Sequence, residues 1–73
     1  MSRLMPVSRA MLIRRLKKLG FEGPFPGTDP DFMVRKDNFI RIPNVHRREI
    51  GANLITEILR EGGITRDEWF SAE

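Results

Sequence analysis

The chain holds a single histidine, His46, and no cysteine. Histidine is the side chain whose ordinary pKa, about 6.5, suits it to take or give a proton near neutral pH. Cations follow it at Arg47 and Arg48, and others stand earlier at Arg14, Lys17, Lys18, Arg35, Lys36 and Arg41. A base beside a group of cations is what RNA cleavage without a metal needs. The base takes the 2′-hydroxyl proton and the cations neutralise the phosphorane. His46 equally suits a structural role, capping the segment after it or standing in solvent. Asp29, Asp31 and Asp37 lie close in sequence, yet turns favour aspartate for backbone reasons alone. One histidine without cysteine does not build a usual zinc site. No glycine-rich phosphate loop follows a strand, so neither a metal nor a small-molecule cofactor is expected.

The chemistry has to be carried by a small frame. Seventy-three residues make one domain, 1–73, and a chain of that size buries only about 60% of its unfolded surface. Without cysteine, no disulfide supplements the core. The net charge of +3 and a pI near 10.2 favour a polyanionic partner, nucleic acid first. The same surplus is equally met on solvated surfaces with no partner. No apolar run approaches the roughly 18 residues that cross a bilayer. The stretch Met1-Ser2-Arg3-Leu4-Met5-Pro6 has no long apolar segment and no small-residue cleavage site. A cytoplasmic protein with no membrane partner is the expectation.

Periodicity and turn residues place the elements. Leu12, Ile13, Leu16 and Leu19 form one stripe of a helix over about Ser8 to Lys18, with Ser8 as cap, Gly20 as stop and Arg15 on the flank. Arg14, Lys17 and Lys18 fall on its outer side. Phe21 to Pro26, interrupted by Pro24, reads as at best an edge strand, and Gly27 to Asp31 as a turn. Phe32–Arg35 and Phe39–Ile42 read as a hairpin joined by Lys36-Asp37-Asn38. Alternation groups Phe32 with Val34 and Ile40 with Ile42, and Arg35 and Arg41 are expected to turn outward. A second helix over about Asn53 to Glu61, with Leu54, Ile55, Ile58 and Leu59 as a broad buried arc, stops at Gly62-Gly63. Thr65-Arg66-Asp67-Glu68 matches a capping box for a short helix carrying Trp69 and Phe70. Those two aromatics either close the core or dock a partner. The expected class is α+β: a two-layer domain with a three-stranded antiparallel sheet and helices on one face, in the order α-β-β-β-α plus a short C-terminal helix. The hairpin's outward face and the His46 loop would form a basic strip. With no evident aromatic exposed on it, phosphate or shape contacts are favoured over base stacking.

Four segments and a closing motif then carry a family likeness. Leu19-Gly20-Phe21 follows the helix, and a glycine-led turn, Gly27 to Met33, enters a Phe-Met strand. Ile-Pro-Asn-x-His spans Ile42 to His46, Ile-Leu-x-x-Gly-Gly-Ile spans Ile58 to Ile64, and Thr-x-x-Glu-Trp closes at Trp69. In order and spacing, over residues 8–70, the chain resembles the HicA toxins. That resemblance implies a fold like the double-stranded RNA-binding domain and an mRNA interferase, a metal-independent endonuclease acting as a hydrolase on RNA. It also implies a type II toxin–antitoxin system with a HicB-like antitoxin partner. The family places its reactive histidine in the turn after the glycine, where this chain has Asp29 and Pro30. Proline has no titrating group, and aspartate ionises near 3.9. The expectation is therefore an RNA-binding protein with cleavage weakened or lost. RNA contacts would come from Arg14, Lys17, Lys18, Arg35, Lys36, Arg41, His46 and Arg47, with His46 the remaining acid–base candidate. The alternative is a non-enzymatic interaction module whose fold a partner protein completes at the Trp69–Phe70 end.

Overall fold

Ser8 starts the first helix as its position predicts, its hydroxyl accepting the Met11 amide at 3.1 Å. The computed structural model describes residues 3–26, 30–45 and 48–73. It contains α1 (Arg9–Lys18), β1 (Glu22–Phe25), β2 (Phe32–Arg35), β3 (Asn38–Arg41), α2 (Ala52–Gly62) and α3 (Arg66–Ser71). The strands form an antiparallel sheet in the order β1-β2-β3. The helices cover one face of it, α1 against β1 and α2 against β3. No other element of the described residues packs on the opposite face. This is the α+β, two-layer arrangement expected from the sequence.

β1 is an edge strand, and its register with β2 is irregular between Glu22 and Phe25. Gly23 is required there: its φ is +115°, and a Cβ would stand 2.8 Å from the Phe32 carbonyl oxygen. Gly23→Ala should destabilise the protein by roughly 2 kcal/mol, read as a lower urea midpoint, because it combines backbone strain with a clash.

The β2–β3 hairpin is tighter than expected. Arg35 pairs with Asn38, so the turn is Lys36-Asp37 alone, with Lys36 at φ +55°. Met33 then faces Ile40 and Arg35 faces Asn38 on the helix side, while Val34–Phe39 and Phe32–Arg41 face the open side. The expectation that Arg35 turns outward is corrected by this register, since side chains alternate with period two. Arg41 does turn outward.

Leu12 and Leu16 of α1, Met33 and Ile40 from the sheet, Ile42 just after β3, Ile55 and Ile58 of α2, and Trp69 of α3 meet in the core, none more than 1% exposed. A single bridge between Val7 and Ile50 ties the N-terminal segment to the approach to α2. One α2 residue departs from the expected arc. Leu54 is 41% exposed, because it sits about 100° around the helix from Ile55 and overhangs the β3 edge.

α3 opens with the expected capping box: Thr65 Oγ1 accepts the Glu68 amide at 3.1 Å and Glu68 Oε1 accepts the Thr65 amide at 2.9 Å. The Thr65 amide, and with it the Arg35 charge, holds the Glu68 carboxyl below its ordinary pKa of 4.5. Because the folded pKa is the lower one, this contribution is complete above the unfolded value and is lost as pH falls through the folded value. Glu68→Gln should therefore flatten the acid limb of stability, measured by thermal melts between about pH 6 and about pH 3.

Candidate nucleic-acid interface

The sequence of α1, Arg-Ala-Met-Leu-Ile-Arg-Arg-Leu-Lys-Lys, contains no acidic residue. Its cations fare differently once folded. Arg15 lies over the Trp69 ring at 4.7 Å and reaches Glu73 Oε1 at 3.4 Å. Lys18 donates to the Glu73 carbonyl at 3.3 Å. Arg14 and Lys17 are exposed and make no ion pair among the described residues. With Arg9, Ala10 and Ile13 they line one shallow depression on the outer side of the helix.

Arg9 joins this patch to the turn ahead of β2. Its Nη2 donates to Asp31 Oδ2 at 2.8 Å and its Nε to the Pro43 carbonyl at 3.1 Å. One guanidinium thus ties the start of α1, the turn that holds Pro30 and the segment leaving β3. Sequence reasoning passed over Arg9, though a signal was there. A cation in the first turn of a helix opposes the macrodipole, and a charge placed against that bias usually has a partner elsewhere. Asp31 is accordingly half of an ion pair, and no group of three potential metal ligands occurs among the described residues.

Among the described residues, the remaining predicted contacts do not form one strip. Arg35 is occupied by the fold. Its Nη1 donates to the Leu19 carbonyl at 3.0 Å, and its Nη2 to the Gly62 and Gly63 carbonyls at 3.4 and 3.3 Å. The guanidinium also meets Glu68 at 3.4 Å and covers the Phe21 ring at 4.7 Å. Arg35 therefore caps the C-terminal ends of α1 and α2, where the partial charge is negative, and it is withdrawn from the RNA-binding set. Lys36 is exposed at the tip of the hairpin, and Arg41 is exposed on the open face of the sheet. Lys36 lines a depression with Leu19 and Gly20 at the end of α1, whereas Arg41 belongs to the sheet and Arg14 and Lys17 to the helix layer. Asp29, His46 and Arg47 lie outside the described residues. Pro30 is exposed and borders a depression between β3 and α2 that Arg41 also lines.

The open face carries aromatics that the sequence reading did not expect at the surface. Phe25, Phe32 and Phe39 run across the three strands, Phe25–Phe32 with centroids 5.2 Å apart and Phe32–Phe39 stacked at 4.7 Å. Phe39 is 48% exposed. The Phe32 ring is stacked on Phe39 at 21° and tilted against Phe25 at 38°, so the rings engage one another. A base would need ring faces, so the ladder leaves only its two outer ones, at Phe25 and at Phe39.

Trp69 is 1% exposed and belongs to the chain's own core. That ring is not offered to a partner. No helix among the described residues is long and apolar enough to cross a membrane. Neither a protein-family model, nor a curated protein, nor a solved structure matches the chain.

Proposed function

We propose that this chain is a HicA-like RNA-binding protein, the toxin-side member of a type II toxin–antitoxin pair, with its mRNA endonuclease activity weakened or lost. One observation carries the reading. The segments bearing the HicA-like pattern, residues 8–70, fall on an α-β-β-β-α-α frame whose first helix presents Arg14 and Lys17, without an ion pair among the described residues, beside Arg9, which is bonded to Asp31 next to Pro30. Helices on a single face of a three-stranded sheet support the likeness to double-stranded RNA-binding domains. Arg14 and Lys17 then contact phosphates, with Arg9 setting the patch against the turn. RNA in the cytoplasm and a HicB-like antitoxin are the partners that follow. The turn that would carry the reactive histidine has Asp29-Pro30 instead, so binding outlasts chemistry. The interaction-module alternative has less to stand on at the Trp69–Phe70 end, because Trp69 is buried in the chain itself.

Purified protein incubated with RNA in EDTA tests this. Expected is salt-dependent binding without cleavage. Arg14→Gln and Lys17→Gln should each reduce the slope of log K against log salt by about 1. Vigorous cutting in EDTA that survives His46→Ala and Asp29→Asn would reject the weakened-enzyme reading. Cutting abolished by His46→Ala would instead make His46 the acid–base group of a working ribonuclease.

A further inference from the structure

The two edges of the sheet differ. Along β1, Pro24 lacks an amide proton and the register breaks between Glu22 and Phe25, features that blunt an edge against pairing. Along β3 the register is unbroken from Asn38 to Arg41. The Ile42 amide donates to the Asp31 carbonyl at 2.8 Å, which fixes the phase of the ladder. Asn38, Ile40 and Ile42 direct their backbone groups toward β2. Phe39 and Arg41 therefore direct their N–H and C=O groups out of the sheet.

Side chains around this edge are also unfinished. Phe39 is 48% and Leu54 41% exposed, and the outer face of the Phe39 ring borders the free edge. Between β3 and α2 runs a depression of about 310 Å³ whose lining includes Arg41, Leu54, Glu57, Ile58 and Glu61. Glu57, Glu61 and Leu54 share one flank of α2 by helical spacing, so the helix side of the edge is acidic with an apolar floor. On the open side stand an arginine and an aromatic ring.

We propose that the outer edge of β3 is a strand-addition site for an extended segment of a partner protein. The segment pairs with the Phe39 and Arg41 backbone and lays basic side chains beside Glu57 and Glu61. An apolar residue between them meets Leu54 and Ile58, and an aromatic and an acidic residue on the alternate face meet Phe39 and Arg41. Charge selects this occupant over a second copy. Pairing β3 with itself about Ile40 would set Phe39 against the other copy's Arg41. It would also bring Glu57 and Glu61 of both α2 helices together along the seam, where like charges repel. Among the described residues Glu57 is paired with Arg60 alone, an exposed pair at 3.2 Å, and such pairs are easily exchanged. Strand addition gives affinity through the main chain and specificity through alternate side chains. Arg41 also stood among the expected RNA contacts, whereas Phe39, Leu54, Glu57 and Glu61 belong neither to that set nor to the α1 patch, so the response to E57K/E61K is separate from RNA binding.

The probe is a synthetic peptide, Thr-Lys-Phe-Ile-Glu-Lys-Thr, titrated into the isotope-labelled full chain with amide hydrogen exchange as readout. Expected is protection of the Phe39 and Arg41 amides, with Ile40 and the β1 edge unchanged. E57K/E61K should weaken binding on the order of tenfold, and a peptide with both lysines changed to glutamate should recover it. Both substitutions are on exposed helix positions, and far-ultraviolet circular dichroism verifies that the variant is folded. Absence of the alternating protection at millimolar peptide overturns the proposal. So does binding indifferent to E57K/E61K, or a response of the same amides to oligo-uridylate but not to peptide.

Discussion

Trp69→Ala should cost about 4 kcal/mol of stability, the range for truncating a large buried aromatic. The ring is 1% exposed and is the largest fully buried side chain; Arg15 is stacked on it at 4.7 Å. A chain of 73 residues has a total stability of about 4–11 kcal/mol, so the substitution should remove between roughly a third and all of it at 25 °C. Urea unfolding followed by circular dichroism measures this. A loss below about 1 kcal/mol would mean that the core closes without the indole, and the placement of α3 would be wrong. The same experiment separates the two roles open to the C-terminal aromatics, since a docking residue can be truncated without unfolding its own domain.

Arg35→Ala should be the most damaging change among the cations, at about 3 kcal/mol. The guanidinium serves carbonyls at Leu19, Gly62 and Gly63 as well as Glu68, and bonds to a charged group contribute about 1.5–3 kcal/mol net. Removing it strands the last carbonyls of two helices and uncovers Phe21. Arg35→Lys should recover only part of the loss, because an ammonium has no planar fork to span two helix ends. Lys36→Ala, one residue away at the exposed hairpin tip, should change stability by no more than about 0.5 kcal/mol. RNA titrations on Arg35→Gln, under conditions where circular dichroism shows the variant folded, should retain the parent salt slope. A slope reduced by about 1 would return Arg35 to the phosphate-binding set.

Elements whose signals are local were legible in the sequence. Ser8, the Thr65–Glu68 box and Gly63 as a left-handed cap act within four residues of themselves, so composition and spacing suffice to find them. The apolar stripe of α1 likewise selected Leu12 and Leu16, both 0% exposed. The candidate site was legible only in part. Arg14 and Lys17 are exposed cations as the helical wheel indicates, while Arg9 was missed because its partners Asp31 and Pro43 lie 22 and 34 residues away.

By itself the sequence determined the order of elements, their caps and stops, the class of the fold and the basic surplus. Each depends on propensities and hydrogen bonds between near neighbours. The tertiary structure decided which face each side chain occupies. A turn of two residues rather than three sets the parity of the hairpin, and parity sent Arg35 into the helix ends and left Arg41 outside. Packing of α2 over β3 decided that Leu54 overhangs an edge while Ile55 is buried. The pairing of three strands assembled Phe25, Phe32 and Phe39, each unremarkable in its own segment, into one ladder. The physical reason is common to all of these. A strand repeats every two residues, so its inside and outside are fixed by what it pairs with, and that partner is not written in the strand.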